Sequence, residues 1–168
     1  MNKLLRILKH RWLDERDARR LIGVDVLERL EARVATSEKV HSGEIRVCVE
    51  AGLPLSYLWK NLSARDRAIT MFGKLRVWDT EANNGVLIYL LLAEHAIEIV
   101  ADRGLARRVP AERWQAIVAG MREQFRAGQY EAGLGAAIDA VDALLTQHFP
   151  LAVGAIDTDE LSNVPLVI

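Results

Sequence analysis

Asp79-Thr80-Glu81-Ala82-Asn83-Asn84-Gly85-Val86-Leu87-Ile88-Tyr89-Leu90-Leu91-Leu92 is the stretch on which the fold turns. A polar loop runs straight into an unbroken apolar segment. An apolar run of that length, with no polar residue turned to solvent, predicts a central strand covered on both faces. Ala93 to His95 predicts a tight turn into Ile97, Ile99 and Val100, and so a hairpin. Upstream, Glu44 to Glu50 alternates, with Ile45, Val47 and Val49 on one side and Glu44, Arg46, Cys48 and Glu50 on the other. That is the period of a half-buried strand. Between the two strands, Gly52 and Pro54 break the pattern and a short helix follows through Trp59. Ser63 and Asp66 then cap a helix whose Ile69, Phe72 and Leu75 should face inward. A helix between two strands reads as a crossover, which makes those strands parallel neighbours.

Working outward, Asp25 and Glu28 read as a capping box for a helix to about Lys39, with Ile22, Val26, Leu30 and Val34 along one face. Two long helices follow the hairpin. Pro110 starts the first, which carries Trp114, Ile117, Val118, Met121 and Phe125 and stops at Gly128. Tyr130, Leu134, Ile138, Val141 and Leu145 line the second. The order helix, strand, helix, strand, strand, helix, helix predicts an α/β fold, a small central mixed sheet sandwiched between helices. The chain divides into a basic amphipathic N-terminal helix over 1–20, an α/β domain over 21–150 and an irregular C-terminal tail over 151–168.

With 168 residues, 51% hydrophobic and 27% charged, the chain has the composition of one globular domain able to bury its own core. A single cysteine, Cys48, forms no internal disulfide, and no signal sequence opens the chain, so the cytoplasm is the expected compartment. The longest apolar run, Val86 to Ala93, is too short to span a bilayer. A net charge of −1 argues against a nucleic-acid partner. The charge is uneven: Lys3, Arg6, Lys9, Arg11, Arg16, Arg19 and Arg20 stand against Asp14, Glu15 and Asp17, so residues 1–20 carry +4 and the rest −5. Leu4, Leu5, Leu8 and Trp12 recur beside them at helical spacing. Residues 1–13 therefore either dock that stripe on the domain, make a weak peripheral contact with an anionic membrane, or bind a partner.

Three segments together resemble the TPM domain family: Trp78-Asp79-x-x-x-Asn83-Asn84-Gly85-Val86-Leu87-Ile88, Val100-Ala101-Asp102-Arg103-Gly104-Leu105, and Phe125-x-x-Gly128-x-Tyr130-x-x-Gly133. The resemblance covers about residues 25–148. The family includes thylakoid-lumen proteins of photosystem II repair and many bacterial proteins of unknown function. It implies a central sheet between helices, and for function a weak acid phosphatase, a calcium-binding domain or a membrane-associated stress or repair factor.

The expected topology brings Ser42, Glu44, the Asp79 to Asn84 loop and Asp102-Arg103 to one end of the sheet. Asp79, Glu81, Asn84 and Asp102 are hard oxygen donors suited to calcium or magnesium, although the spacing is not that of an EF-hand. The alternative is structural: Asn83, Asn84 and Gly85 form a turn, and Asp102 accepts backbone hydrogen bonds beside Gly104. Catalysis would place Asp79 and Arg103 in a metal-assisted phosphatase, for which Ser42 has no evident base. His10, His95 and His148 read as surface or helix-end residues, and Gly128, Tyr130 and Gly133 as packing at a helix junction. The first functional expectation is a noncatalytic interaction, assembly or stress-related module with a protein partner and a divalent-cation site. A weak metal-dependent phosphatase is the second.

Overall fold

The computed structural model describes residues 3–152 and 160–168. In chain order the elements are α1 (Lys3–Arg11), α2 (Glu15–Ile22), α3 (Val24–Ser37), β1 (Ile45–Glu50), α4 (Leu55–Trp59), α5 (Ala64–Lys74), β2 (Val86–Leu91), β3 (Ala96–Ala101), α6 (Arg103–Ala106), α7 (Ala111–Arg126), α8 (Tyr130–His148) and β4 (Leu166–Val167). The sheet order is β3-β2-β1-β4. β1 and β2 are parallel, with Ile45 opposite Val86, and β2 and β3 form the expected antiparallel hairpin, with Val86 opposite Ala101. His95 turns that hairpin at φ 49°.

Alternation along the strands builds two cores, since successive side chains leave a strand on opposite faces. Val47, Val49, Ile88, Leu90, Ile97 and Ile99 meet residues of α2, α3, α7 and α8 on one face. Cys48, Leu87, Tyr89 and Leu91 meet residues of α4 and α5 on the other. The sheet is sandwiched as expected, but β1 is covered on both faces rather than half-buried. Both Glu44 and Glu50 are buried.

Other local readings need correction. The N-terminal capping box belongs to Asp14 and Asp17, on α2. Gly23 begins α3 with no side-chain cap, and Asp25 instead pairs with Arg29. The Ser63 and Asp66 box is present on α5, but Ile69 faces solvent, and Ala64, Arg67, Ala68 and Met71 face the sheet. The described part of the tail is not irregular throughout: it reaches a strand at Leu166. There it becomes β4, pairing with β1 through Cys48 opposite Leu166, and Arg46 Nη1 donates to the carbonyls of Ser162 and Val164. Part of the predicted tail, 153–159, lies outside the described residues. Gly128 ends α7 at φ 72°, and a Cβ at Gly133 would lie 2.9 Å from the Phe125 ring, so that junction is packing.

Candidate functional site

Because β1 and β2 run in parallel and β3 returns, the start of β1, the start of β2 and the end of β3 share one end of the sheet. The Val86 amide donates to Glu44 O at 2.8 Å and the Asp102 amide to Gly85 O at 2.8 Å, which extends the ladder to its last row. The loop before β2 is held against that row. Asn83 sits at φ 54°, and its carbonyl accepts from the Gly104 amide at 2.8 Å. The Asn84 amide donates to Thr80 Oγ1 at 3.1 Å, and its side-chain nitrogen donates to Ser42 O at 2.9 Å. Gly85 is required for space, not for an unusual φ: a Cβ there would lie 2.0 Å from Val77 O.

Asn84 and Asp102 are the two inward members of the predicted metal set. Asp102 Oδ1 accepts from the Arg103 amide at 2.6 Å and starts α6, while Asp102 Oδ2 and Asn84 Oδ1 are buried with no hydrogen-bond partner. The other two face outward: Asp79 lies 3.3 Å from Arg76, and Glu81 is exposed. Among the described residues no group of three or more His, Cys, Asp or Glu could hold a metal ion. Arg103 is 79% exposed, 3.9 Å from Asp102. The proposed phosphatase pair of Asp79 and Arg103 is therefore solvent-facing, and the Ser42 hydroxyl lies 3.3 Å from the Asn84 amide nitrogen. Glu44 has a part that its strand position alone did not suggest. Its carboxylate accepts from the amides of Glu160 at 3.1 Å and Leu161 at 3.3 Å, and Glu160 in turn accepts from the Glu81 amide at 3.1 Å. The tail is thereby laced across this end.

The TPM domain model matches residues 16–144, which contain all three recognition segments. The chain belongs to the TPM-domain family. The BA42 protein from the psychrophilic bacterium Bizionia argentinensis superposes with a TM-score of 0.74 at 28% identity, over 86% of this chain and 93% of that one. The N-terminal domain of a protein from P. gingivalis superposes with a TM-score of 0.61 at 20% identity, over 79% and 83%, and shows the shared fold. No curated protein matches the chain. No helix of the described residues is long and apolar enough to cross a membrane.

This TPM domain carries a second polar cluster at the opposite end of the parallel strands. Glu50, at the end of β1, accepts from Arg67 Nε and Nη2, both at 2.8 Å, and from the Tyr89 hydroxyl at 2.7 Å. Tyr57 lies against the guanidinium, 5.2 Å from ring centre to Arg67 Cζ. Burial is the largest single influence on Arg67 and alone would weaken its charge, but the Glu50 hydrogen bonds and charge, with Tyr57 and Tyr89, together outweigh it and raise its pKa. Burial, then the neighbouring Glu50 charge, pushes the Tyr89 hydroxyl up and the Cys48 thiol to about 12. A thiol so held is a core residue, not a nucleophile. The sequence signal for this cluster was a charged residue ending an apolar strand.

A third polar contact fastens α1 to the TPM domain. His10 was expected as a surface or helix-end residue; it lies in the last turn of α1, but its ring is fully buried. Its Nδ1 accepts from the Leu53 amide at 3.0 Å and its Nε2 lies 2.9 Å from Glu94 Oε1, which fixes the neutral ring with its proton on Nε2. Arg6 adds a 2.6 Å bond to Glu94 and a 2.7 Å bond to Leu62 O. A Cβ at Gly52 would lie 2.5 Å from His10 O, so the helix sits directly on backbone. The apolar stripe expected to dock does not: Leu4, Leu5, Leu8 and Trp12 all face solvent. The docked face is the one that carries Arg6, Ile7 and His10.

Proposed function

We propose that this TPM-domain protein is a noncatalytic interaction and assembly module whose sheet end at Asn84 and Asp102 takes a divalent cation. The observation that carries the reading is the pair of buried oxygens, Asn84 Oδ1 and Asp102 Oδ2, neither with a hydrogen-bond partner. Each buried oxygen left so costs about 1–3 kcal/mol, and a cation relieves both. Both are hard donors of the kind magnesium and calcium take. Magnesium keeps several waters and is commonly held by one or two carboxylates, so the inner pair with water fits it. Calcium asks for about six to eight oxygens, which would draw in Asp79 and Glu81 from the same loop. A phosphatase would further require a nucleophile held in line with a base, and nothing among the described residues around Ser42 supports one.

The test is thermal unfolding of metal-stripped protein with and without either ion, beside a phosphate-ester assay. At an ion concentration about a hundred times Kd the gain is about 2.7 kcal/mol, or about 5–11 °C in midpoint. The rise should disappear in Asp102→Asn, while Asp79→Ala should weaken the calcium response more than the magnesium one. No rise with either ion rejects the site. Turnover abolished by chelator and by Asp102→Asn would replace the reading with the phosphatase.

A further inference from the structure

We propose that the outward face of α1, with its neighbour α4, docks on an anionic phospholipid surface. On a helical wheel Leu4, Leu8, Trp12 and Leu5 occupy one arc of about 100°, with Arg11 on one flank and Lys9 on the other. All six are exposed; Leu4 is 68% and Trp12 83% accessible. On the neighbouring α4, the exposed Trp59 ring lies under Lys3 Nζ at 4.9 Å and Leu55 also faces solvent. The opposite side of α1 is spent on the domain through Arg6 and His10, so the helix presents this face with a fixed orientation.

Charge selects the occupant. Residues 1–20 carry +4 and the remainder −5, so the helical start is drawn to an anionic surface that repels the rest of the molecule. A second copy would set two basic faces against each other. Leucine and tryptophan at the centre with lysine and arginine at the rim is the composition of a helix lying in the bilayer interface. A patch of this size without a lipid anchor makes a reversible contact. The inference rests on α1 and α4 alone and is independent of the cation site.

The experiment is co-sedimentation of the full chain with vesicles of phosphatidylglycerol and phosphatidylcholine, against phosphatidylcholine alone. Binding should appear only with the anionic lipid and disappear near 1 M salt, where the screening length is about 3 Å. Both Leu8→Gln/Trp12→Gln and Lys9→Gln/Arg11→Gln should lower the affinity about tenfold or more while leaving the unfolding midpoint unchanged, since all four side chains are exposed. Absent binding, equal binding to neutral vesicles, or full retention in either double variant overturns the proposal. A concentration-dependent dimer that Leu8→Gln abolishes, without vesicle binding, assigns the face to a second copy and also overturns it.

Discussion

Replacing Arg67 with methionine leaves Glu50 buried beneath α5 with the Tyr89 hydroxyl as its remaining donor, in place of two guanidinium bonds at 2.8 Å. Both partners of the pair are buried, so water cannot take the place of the lost donors. Breaking a buried ion pair on one side costs about 3–5 kcal/mol. At about 2–4 °C per kcal/mol for a domain of this size, the midpoint should fall by about 6–20 °C. The double variant Glu50→Gln/Arg67→Met should recover most of that loss, because the glutamine side chain carries no stranded charge yet still accepts from Tyr89. Urea unfolding of the four proteins in the cycle measures all of this. A single-variant cost under about 1 kcal/mol, or a double variant no better than the single one, refutes the reasoning.

His10 predicts an acid weakness in the α1 attachment: burial lowers its pKa from 6.5 against the opposing pull of Glu94, so the unfolded chain takes the proton first. Stability should then fall as pH drops below about 6.5 and level off below the folded pKa, and His10→Gln should lack that component in pH-dependent urea unfolding. An identical slope in both proteins would reject the burial of a neutral His10 ring. Gly85→Ala should lose about 1–3 kcal/mol through the clash with Val77 O, whereas Gly120→Ala, which meets nothing within 4 Å inside α7, should be neutral or gain about 0.5–1 kcal/mol. Parallel thermal melts decide it, and equal midpoints would contradict the packing argument.

What the sequence disclosed follows the range of the forces involved. The Val86 to Leu91 run and the Ile45, Val47, Val49 alternation report local periodicity, and both became strands. Once those registers are known, the convergence of Ser42, Asn84 and Asp102 is geometry, and it could be read before any coordinates. Amphipathicity also revealed α1, but not which side would dock, because that depends on Glu94 and Leu53 far along the chain. The same limit hid Arg67: on its own helix it is an unremarkable cation, and only the fold places it on Glu50. Ile69 was misread for that reason, since the apolar stripe of α5 is displaced by the residue that reaches the buried carboxylate. At the sheet end around Asn84 and Asp102 the loop residues were visible, whereas the lacing of Glu44 to Glu160 and Leu161 was not.

The neighbours of β1 arrive at very different times. Its partner β2 follows after one crossover, whereas β4, which closes its other side, is the last element of the chain. During translation at about 5–20 residues per second, β1 therefore waits on the order of ten seconds with one row of backbone donors and acceptors unclaimed. An unclaimed strand flank of this kind recruits foreign strands. Residues 166–168 consequently act as a lock on the nascent sheet: the Ile168 amide bonds Val49 O, and its carbonyl accepts from the Ala51 amide. Synthesis that stops short of them would release a chain whose cores can assemble but whose sheet remains open to other molecules.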